Sequence, residues 1–314
     1  MASMAFRRLW TAFVVLFLVS LGVFLATQVL PGDAAQAILG RDATPERLEA
    51  LRERLQLTGN PVIQYWNWLG SVVRLDFGLS LSNGAPVADL LAPRVLNSLI
   101  LMACSALIGI PLSLLIGLLA AYWRDGVLDH AVTLVTLVVS ALPEFVIATS
   151  LILLFATGVW NVLPATSTST PVLSYPAQLV LPSLTLAIAI APYIIRMTRA
   201  TMIEVLDSDF VQHALLSGVS ERAIVLRHGL INVVGAVAQV TALQLAYLAG
   251  GVVVVEFVFG FPGIGTALVD AVSNRDLPVI QAICLFIATF YIVVNLLADS
   301  LTALANPRVR YAGR

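Results

Sequence analysis

The sequence predicts an all-α integral membrane protein with six transmembrane helices, both termini cytoplasmic and a large external loop after the first span. Three observations lead there. The chain is 59% hydrophobic and only 11% charged, against about 25% charged residues in an ordinary soluble domain. Its apolar runs are long enough for the roughly 20-residue helices that cross a hydrocarbon core. Its arginines alternate between connectors in the way that orients membrane helices. All 17 basic side chains are Arg, since the sequence has no Lys. That excludes a P-loop on this chain, because such a loop needs a Lys to reach the β and γ phosphates. The net charge of -1 points to no nucleic-acid partner. Cys104 and Cys284 both fall inside apolar runs, where a small apolar packing role suits them and no disulfide framework or zinc site is suggested.

In order, residues 9–30 form the first span, preceded by Arg7 and Arg8. The apolar core is too long for a typical cleaved leader, so it is read as retained. Pro31, Gly32 and Asp33 break it. The external region, 31–96, carries Thr44 as a helix cap, Pro45 at the first helical position and a Leu48, Leu51 and Leu55 stripe that ends near Gly59. Tyr65, Trp66 and Trp68 follow, residues that favour the headgroup level. A five-helix core, 97–314, comes next. Its first span is 97–122, with Pro111 as the expected kink. From 131 to 195 only Glu144 is charged, too long a run for one helix, and the Pro, Ser and Thr-rich piece 163–176 splits it into two spans. The last two spans are 231–255 and 279–299, joined by a Gly-rich connector.

Six spans place both termini on one side. That side holds Arg7, Arg8, Arg124, the four arginines of the loop 196–228 and the three of the tail, whereas the two shorter opposite connectors hold only Arg275. The positive-inside rule makes it the cytoplasm; the long first loop has six Arg but long translocated regions largely escape the rule.

The polar loop 196–228 organises the rest. Ser208 can cap a helix with Asp209 in its first turn, where a negative charge suits the dipole, and Gly218 can supply the left-handed residue past its end. Phe210, Val211, Ala214, Leu215 and Gly218 share one face of that helix. Ser220 can cap a second helix with Glu221 at its start. A short helix outside the membrane with a small apolar face suits docking against a partner. A lipid-surface helix is the other reading, but those carry basic polar faces and bulky apolar ones, and this one has Asp207 and Asp209.

These residues resemble the membrane permeases of bacterial ATP-binding-cassette importers for dipeptides, oligopeptides and nickel, and most closely the first of the two permeases in such systems. QHALLSG matches the family's Glu-Ala-Ala-type loop at Ala214 and Gly218, with Gln212 and His213 departing from the commoner forms. The stretch VVVVEFVFGFPGIGTALVDAVSNRDLPVIQ is similar to the family signature almost throughout, as are the ending LADSLTALANPRVR and, near the front, VLPGD and DFGLSLSNGAPVADLLAPRVLNSLIL. The resemblance implies a non-catalytic subunit in the bacterial inner membrane that forms a translocation path with a second permease. It further implies two ATP-binding subunits, which carry ATP and Mg while this chain holds no cofactor, and an external solute-binding protein. Asp209, Phe210, Val211, Ala214, Leu215 and Gly218 would then couple the path to the ATPases.

For the path or gate, the sequence offers Glu144, Glu256, Phe261, Pro262, Gly263 and Gly265. Glu144 stands beside Pro143, either facing the pathway or marking a helix break. FGFPGIG lacks Lys and follows no soluble strand, so a gate-forming turn suits it better than a phosphate loop. Asp299 can pair with Arg308 or Arg310. His130, His213 and His228 are scattered and suggest no metal. A proton-coupled secondary transporter acting alone is the alternative; it would rest on Glu144 and Glu256 and leaves the docking helix unexplained.

Overall fold

The computed structural model describes residues 2–29, 44–46, 49, 60–168, 170–218 and 230–305. Among them there is no strand, only an isolated antiparallel bridge between Leu79 and Pro86. The helices are α1 (Ala2–Val29), α2 (Pro61–Val73), α3 (Val87–Tyr122), α4 (Val127–Ser140), α5 (Glu144–Ile152), α6 (Ala177–Leu206), α7 (Asp209–Leu216), α8 (Leu230–Phe259), α9 (Ile264–Ser273) and α10 (Leu277–Ala305).

Five of these are long and apolar enough to span a membrane: α1, α3, α6, α8 and α10. A bent pair, α4 with α5, meets the same test only when its two helices are taken together. α4 is followed by Ala141, Leu142 and Pro143, and α5 then sets off at 105° and continues through a π turn at Leu153–Thr157. Pro143 explains the break, because its ring and missing N–H cannot continue the ladder of α4. α3, by contrast, stays one 36-residue helix through Pro111, where a kink was expected. Residues 158–176 carry no α-helix, only a short 3-10 turn at Val172–Ser174, so the predicted division between the third and fourth spans stands where the Pro, Ser and Thr cluster put it.

The chain packs as two compact units, one of 99–261 with 290–314 and one of 2–98 with 262–289. This grouping cuts across the segments 1–30, 31–96 and 97–314 drawn from sequence. In the larger unit α6 is central: it packs on α8, α4 and α5, and its most apolar stretch is 67% buried. Leu181, Leu186, Ile190, Ile194 and Met202 of α6 meet Leu248, Val252 and Phe259 of α8 in one core. Small residues let helices approach: a Cβ at Gly117 of α3 would lie 2.8 Å from both the Ile195 carbonyl oxygen and Thr198 Cβ.

In the smaller unit α1 packs against α2. Tyr65 is buried between Phe17 and Phe24 of α1, and its hydroxyl hydrogen-bonds Ser20 Oγ at 2.8 Å. The aromatic cluster is thus partly a helix-packing seam, although Trp66 stays exposed as a headgroup-level residue would. Gln281 of α10 donates to Thr27 Oγ1 at 2.8 Å. Of the expected helix near Thr44, only Pro45, Glu46 and Glu49 are described, all helical; Leu48, Leu51, Leu55 and Gly59 lie outside the described residues.

Candidate functional site

The polar stretch drawn from 196 starts inside α6, which carries Arg196 and Arg199. α6 ends at Leu206, Asp207 and Ser208 turn the chain, and α7 starts with Asp209 in its first turn. The Ser208 hydroxyl, however, donates back to the Val205 carbonyl at 2.6 Å, so it fastens the turn to α6. Past α7, Gly218 has φ +82° with open space around it, the left-handed conformation that only Gly adopts freely. Val211 is buried, whereas Asp209 and Gly218 are exposed. The side chains of Phe210, Ala214 and Leu215 lie outside the described set, as do Ser220, Glu221, Arg222 and Arg227.

Two ion pairs that sequence reasoning missed tie this corner to the α3–α4 connector. Arg124 donates to Asp207 at 2.5 Å, with both side chains about half exposed. The Asp207 hydrogen bond and charge hold the Arg124 guanidinium still further above its ordinary range. About two turns earlier on α6, Arg199 grips Asp129 with Nε and Nη2 at 2.5 and 2.7 Å. Asp129 is buried, lies in the first turn of α4, and also accepts the Asp125 amide at 3.0 Å. A carboxylate there suits the helix dipole and closes the tight turn 123–126. The only sequence signal was the charge cluster WRDGVLDH in an otherwise apolar region.

The proposed gate turn is ordered. In the larger unit α8 ends with Glu256, Phe259 and Phe261 all fully buried. The Phe261 amide donates to the Glu256 carbonyl at 2.8 Å, and Gly260 takes φ +60° to allow it. Ser167 supports the turn, donating its amide to the Phe259 carbonyl at 2.8 Å and its hydroxyl to the Gln178 carbonyl at 2.6 Å. In the smaller unit, Asn97 Nδ2 donates to the Pro262 carbonyl at 2.8 Å, and Ser98 Oγ accepts the Ile264 amide at 2.9 Å. Ser98 thereby caps α9, whose own N-cap residue Gly263 has no side chain to do so. Gly265 is buried in the first turn of α9.

Glu144 stands apart from that turn. It opens α5 after the break, and Tyr247 of α8 donates its hydroxyl to Glu144 Oε1 at 2.5 Å. In the smaller unit, by contrast, Asp276 is buried and accepts hydrogen bonds from the Ser80 hydroxyl, from the Leu81 amide at 3.0 Å and from the Ser82 hydroxyl at 3.0 Å. The Asn-Arg-Asp motif and the LSLS stretch thus meet. Asp299 has its side chain, and Arg308 and Arg310 their whole residues, outside the described set. No group of three His, Cys, Asp or Glu that could hold a metal occurs among the described residues.

Comparison with known proteins accounts for the motifs. Residues 113–311 match the family described as binding-protein-dependent transport system inner membrane component, and residues 1–96 match the N-terminal model of the same kind of membrane component. The chain is 37% identical over 312 residues to the glutathione transport system permease protein GsiC of Escherichia coli (strain K12), covering 99% of this chain and 100% of that one. It is 35% identical over 307 residues to the probable peptide ABC transporter permease protein y4tP of Sinorhizobium fredii (strain NBRC 101917 / NGR234), covering 97% and 98%. Among solved structures, an inward-facing form of the MetNI methionine ABC transporter superposes with a TM-score of 0.53 at 16% identity, over 69% of this chain and 96% of that one, a likeness of fold. Its membrane-length helices, its signature turn and its full-length match to such permeases agree: the chain belongs to the binding-protein-dependent transport system inner membrane components, as a non-catalytic, multi-pass permease subunit of the inner membrane.

Proposed function

We propose that this chain is the first of two permeases in an ATP-driven importer of dipeptides, oligopeptides or related small solutes. It forms the translocation path as a heterodimer with the second permease. Two cytoplasmic ATP-binding subunits hold ATP and Mg, and an external binding protein delivers the solute. The observation that carries this reading is α7: a short helix fastened to the end of the most buried span and closed by a left-handed Gly218. Such a helix, carrying Asp209, Phe210, Val211, Ala214, Leu215 and Gly218 and following an α6 end braced by ion pairs to Arg124 and to Asp129 of α4, suits transmission of ATPase closure into the bundle as a rigid-body movement. The arginine distribution supports a cytoplasmic position for α7 and both termini. Glu256 and Phe261, buried around the end of α8, and the Pro262, Gly263 and Gly265 turn before α9 suit a gate, because irregular backbone at membrane depth is tolerated where protein covers it.

The test is the ATPase activity of the reconstituted assembly, with and without the cognate binding protein loaded from a dipeptide library. Stimulation by the loaded protein is expected. In the Gly218→Val variant, strain of about 1–2 kcal/mol at the left-handed position should distort the end of α7. Hydrolysis should then persist while uptake is lost, with the protein still in the membrane. Normal uptake by that variant would remove the coupling role from α7. Failure to recover ATPase subunits with the chain would favour a proton-coupled transporter acting alone.

A further inference from the structure

The broken third span and α8 bring a carboxylate and a phenol together deep in the membrane. Glu144 follows directly on the 105° break that divides its span, and Tyr247 lies near the middle of the Val237–Phe259 stretch. Tyr247 occupies Oε1 of the carboxylate and leaves Oε2 unclaimed, and among the described residues no cationic side chain pairs with Glu144. The backbone makes room for this arrangement: a Cβ at Gly251 would stand 3.3 Å from Glu144 Oε1.

On α8, Gln239, Leu243, Tyr247, Gly250, Val254 and Phe257 recur at helical spacing and are exposed, so the described residues leave this face uncovered. An ionised carboxylate beside a lipid-facing stripe is costly, and intramembrane acids are kept where they meet water or a partner charge. A single carboxylate with one phenol is too sparse for Ca²⁺ or Mg²⁺, which want six or more oxygen ligands or waters. It suits one monovalent organic cation, and the negative face of the Tyr ring adds to that preference.

We infer that Glu144 and Tyr247 form a subsite on the transport path that receives an ammonium group of the passing solute, Glu144 as counter-charge and Tyr247 as the group that orients it. This rests on the importer reading above and names the chemistry its path selects. One contact to a single carboxylate is weak enough to release its cation, as conduction requires.

The first arm of the test needs no knowledge of the natural solute. In a Cys104→Ala, Cys284→Ala background, Leu243→Cys places a thiol one turn from Tyr247 on the same exposed face. Membranes of cells producing the whole assembly are treated with methanethiosulfonate reagents bearing either a trimethylammonium or a sulfonate group. The cationic reagent should react about tenfold faster than the anionic one, and Glu144→Gln should abolish the difference. Equal rates for both reagents, or no reaction with either, would overturn the subsite. A second arm guards against a folding defect: Glu144→Gln should lower trialanine uptake by about tenfold while stimulation of hydrolysis by the loaded binding protein remains. Loss of both together would assign Glu144 a structural role and also overturn the proposal. If the wild-type chain recovers no ATPase subunits, the importer reading itself fails, an outcome the reagent rates do not mimic.

Discussion

Asp129 carries more of the α3–α4–α6 corner than any other side chain. It takes two hydrogen bonds from Arg199 and one from the Asp125 amide while 3% exposed. Asp129→Asn removes the charge but keeps the shape, stranding Arg199 against a neutral group. Breaking one partner of a buried pair costs about 3–5 kcal/mol, and the 30% exposure of Arg199 should bring this corner towards the lower end. Arg124→Ala removes the half-exposed pair to Asp207, and pairs so open to solvent contribute little. Thermal unfolding of the detergent-solubilised assembly should therefore fall clearly for Asp129→Asn and barely for Arg124→Ala. None of this was legible in the sequence, because Asp129 and Arg199 stand 70 residues apart and Ser80 and Asp276 196 apart. Periodicity reports only neighbours along one helix. Glu144 was half legible: Pro143 announced the helix break, but the phenol that holds the carboxylate is 103 residues on.

At the scale of elements, the spans were the most readable feature, since all but the third are uninterrupted apolar runs bounded by charges or Pro and Gly. The expected kink at Pro111 did not appear as a break in α3. A proline forfeits one backbone bond, and close packing of α3 on α6 at Gly109 and Gly117 can hold the helix together regardless. That packing is itself testable. Gly117→Leu must displace the α6 backbone at Ile195, and overpacking of this kind costs about 1–3 kcal/mol. Gly250→Leu, with nothing within 4 Å of its Cβ position, should leave the unfolding temperature of the isolated subunit near that of the wild type. Equal losses at both sites would contradict the close α3–α6 approach. The α7 helix was readable from Asp209 and Gly218, but its start was not held as expected: Ser208 bonds back to Val205, because a hydroxyl just past the helix C-cap can reach the last turn's carbonyls.

For the whole molecule, the class and the family followed from composition and spaced motifs, whereas the grouping of segments did not. The first span, α2, the LSLS stretch and the Asn-Arg-Asp connector form one compact unit through side chains as distant as Thr27 and Gln281. Helix α3 adds a consequence of its own. At about 1.5 Å per residue its 36 residues extend about 54 Å, and the 29 uncharged residues between Arg94 and Arg124 alone extend about 43 Å. A hydrocarbon core is about 30 Å thick, and an ordinary tilt near 20° recovers little of the excess. Vesicles with acyl chains of about 20 carbons should therefore support faster uptake than those of about 14, measured at equal protein and fluidity. The thickness of the surrounding lipid thus becomes a control on this subunit's activity, acting on it as a ligand would but through every molecule of the solvent it spans.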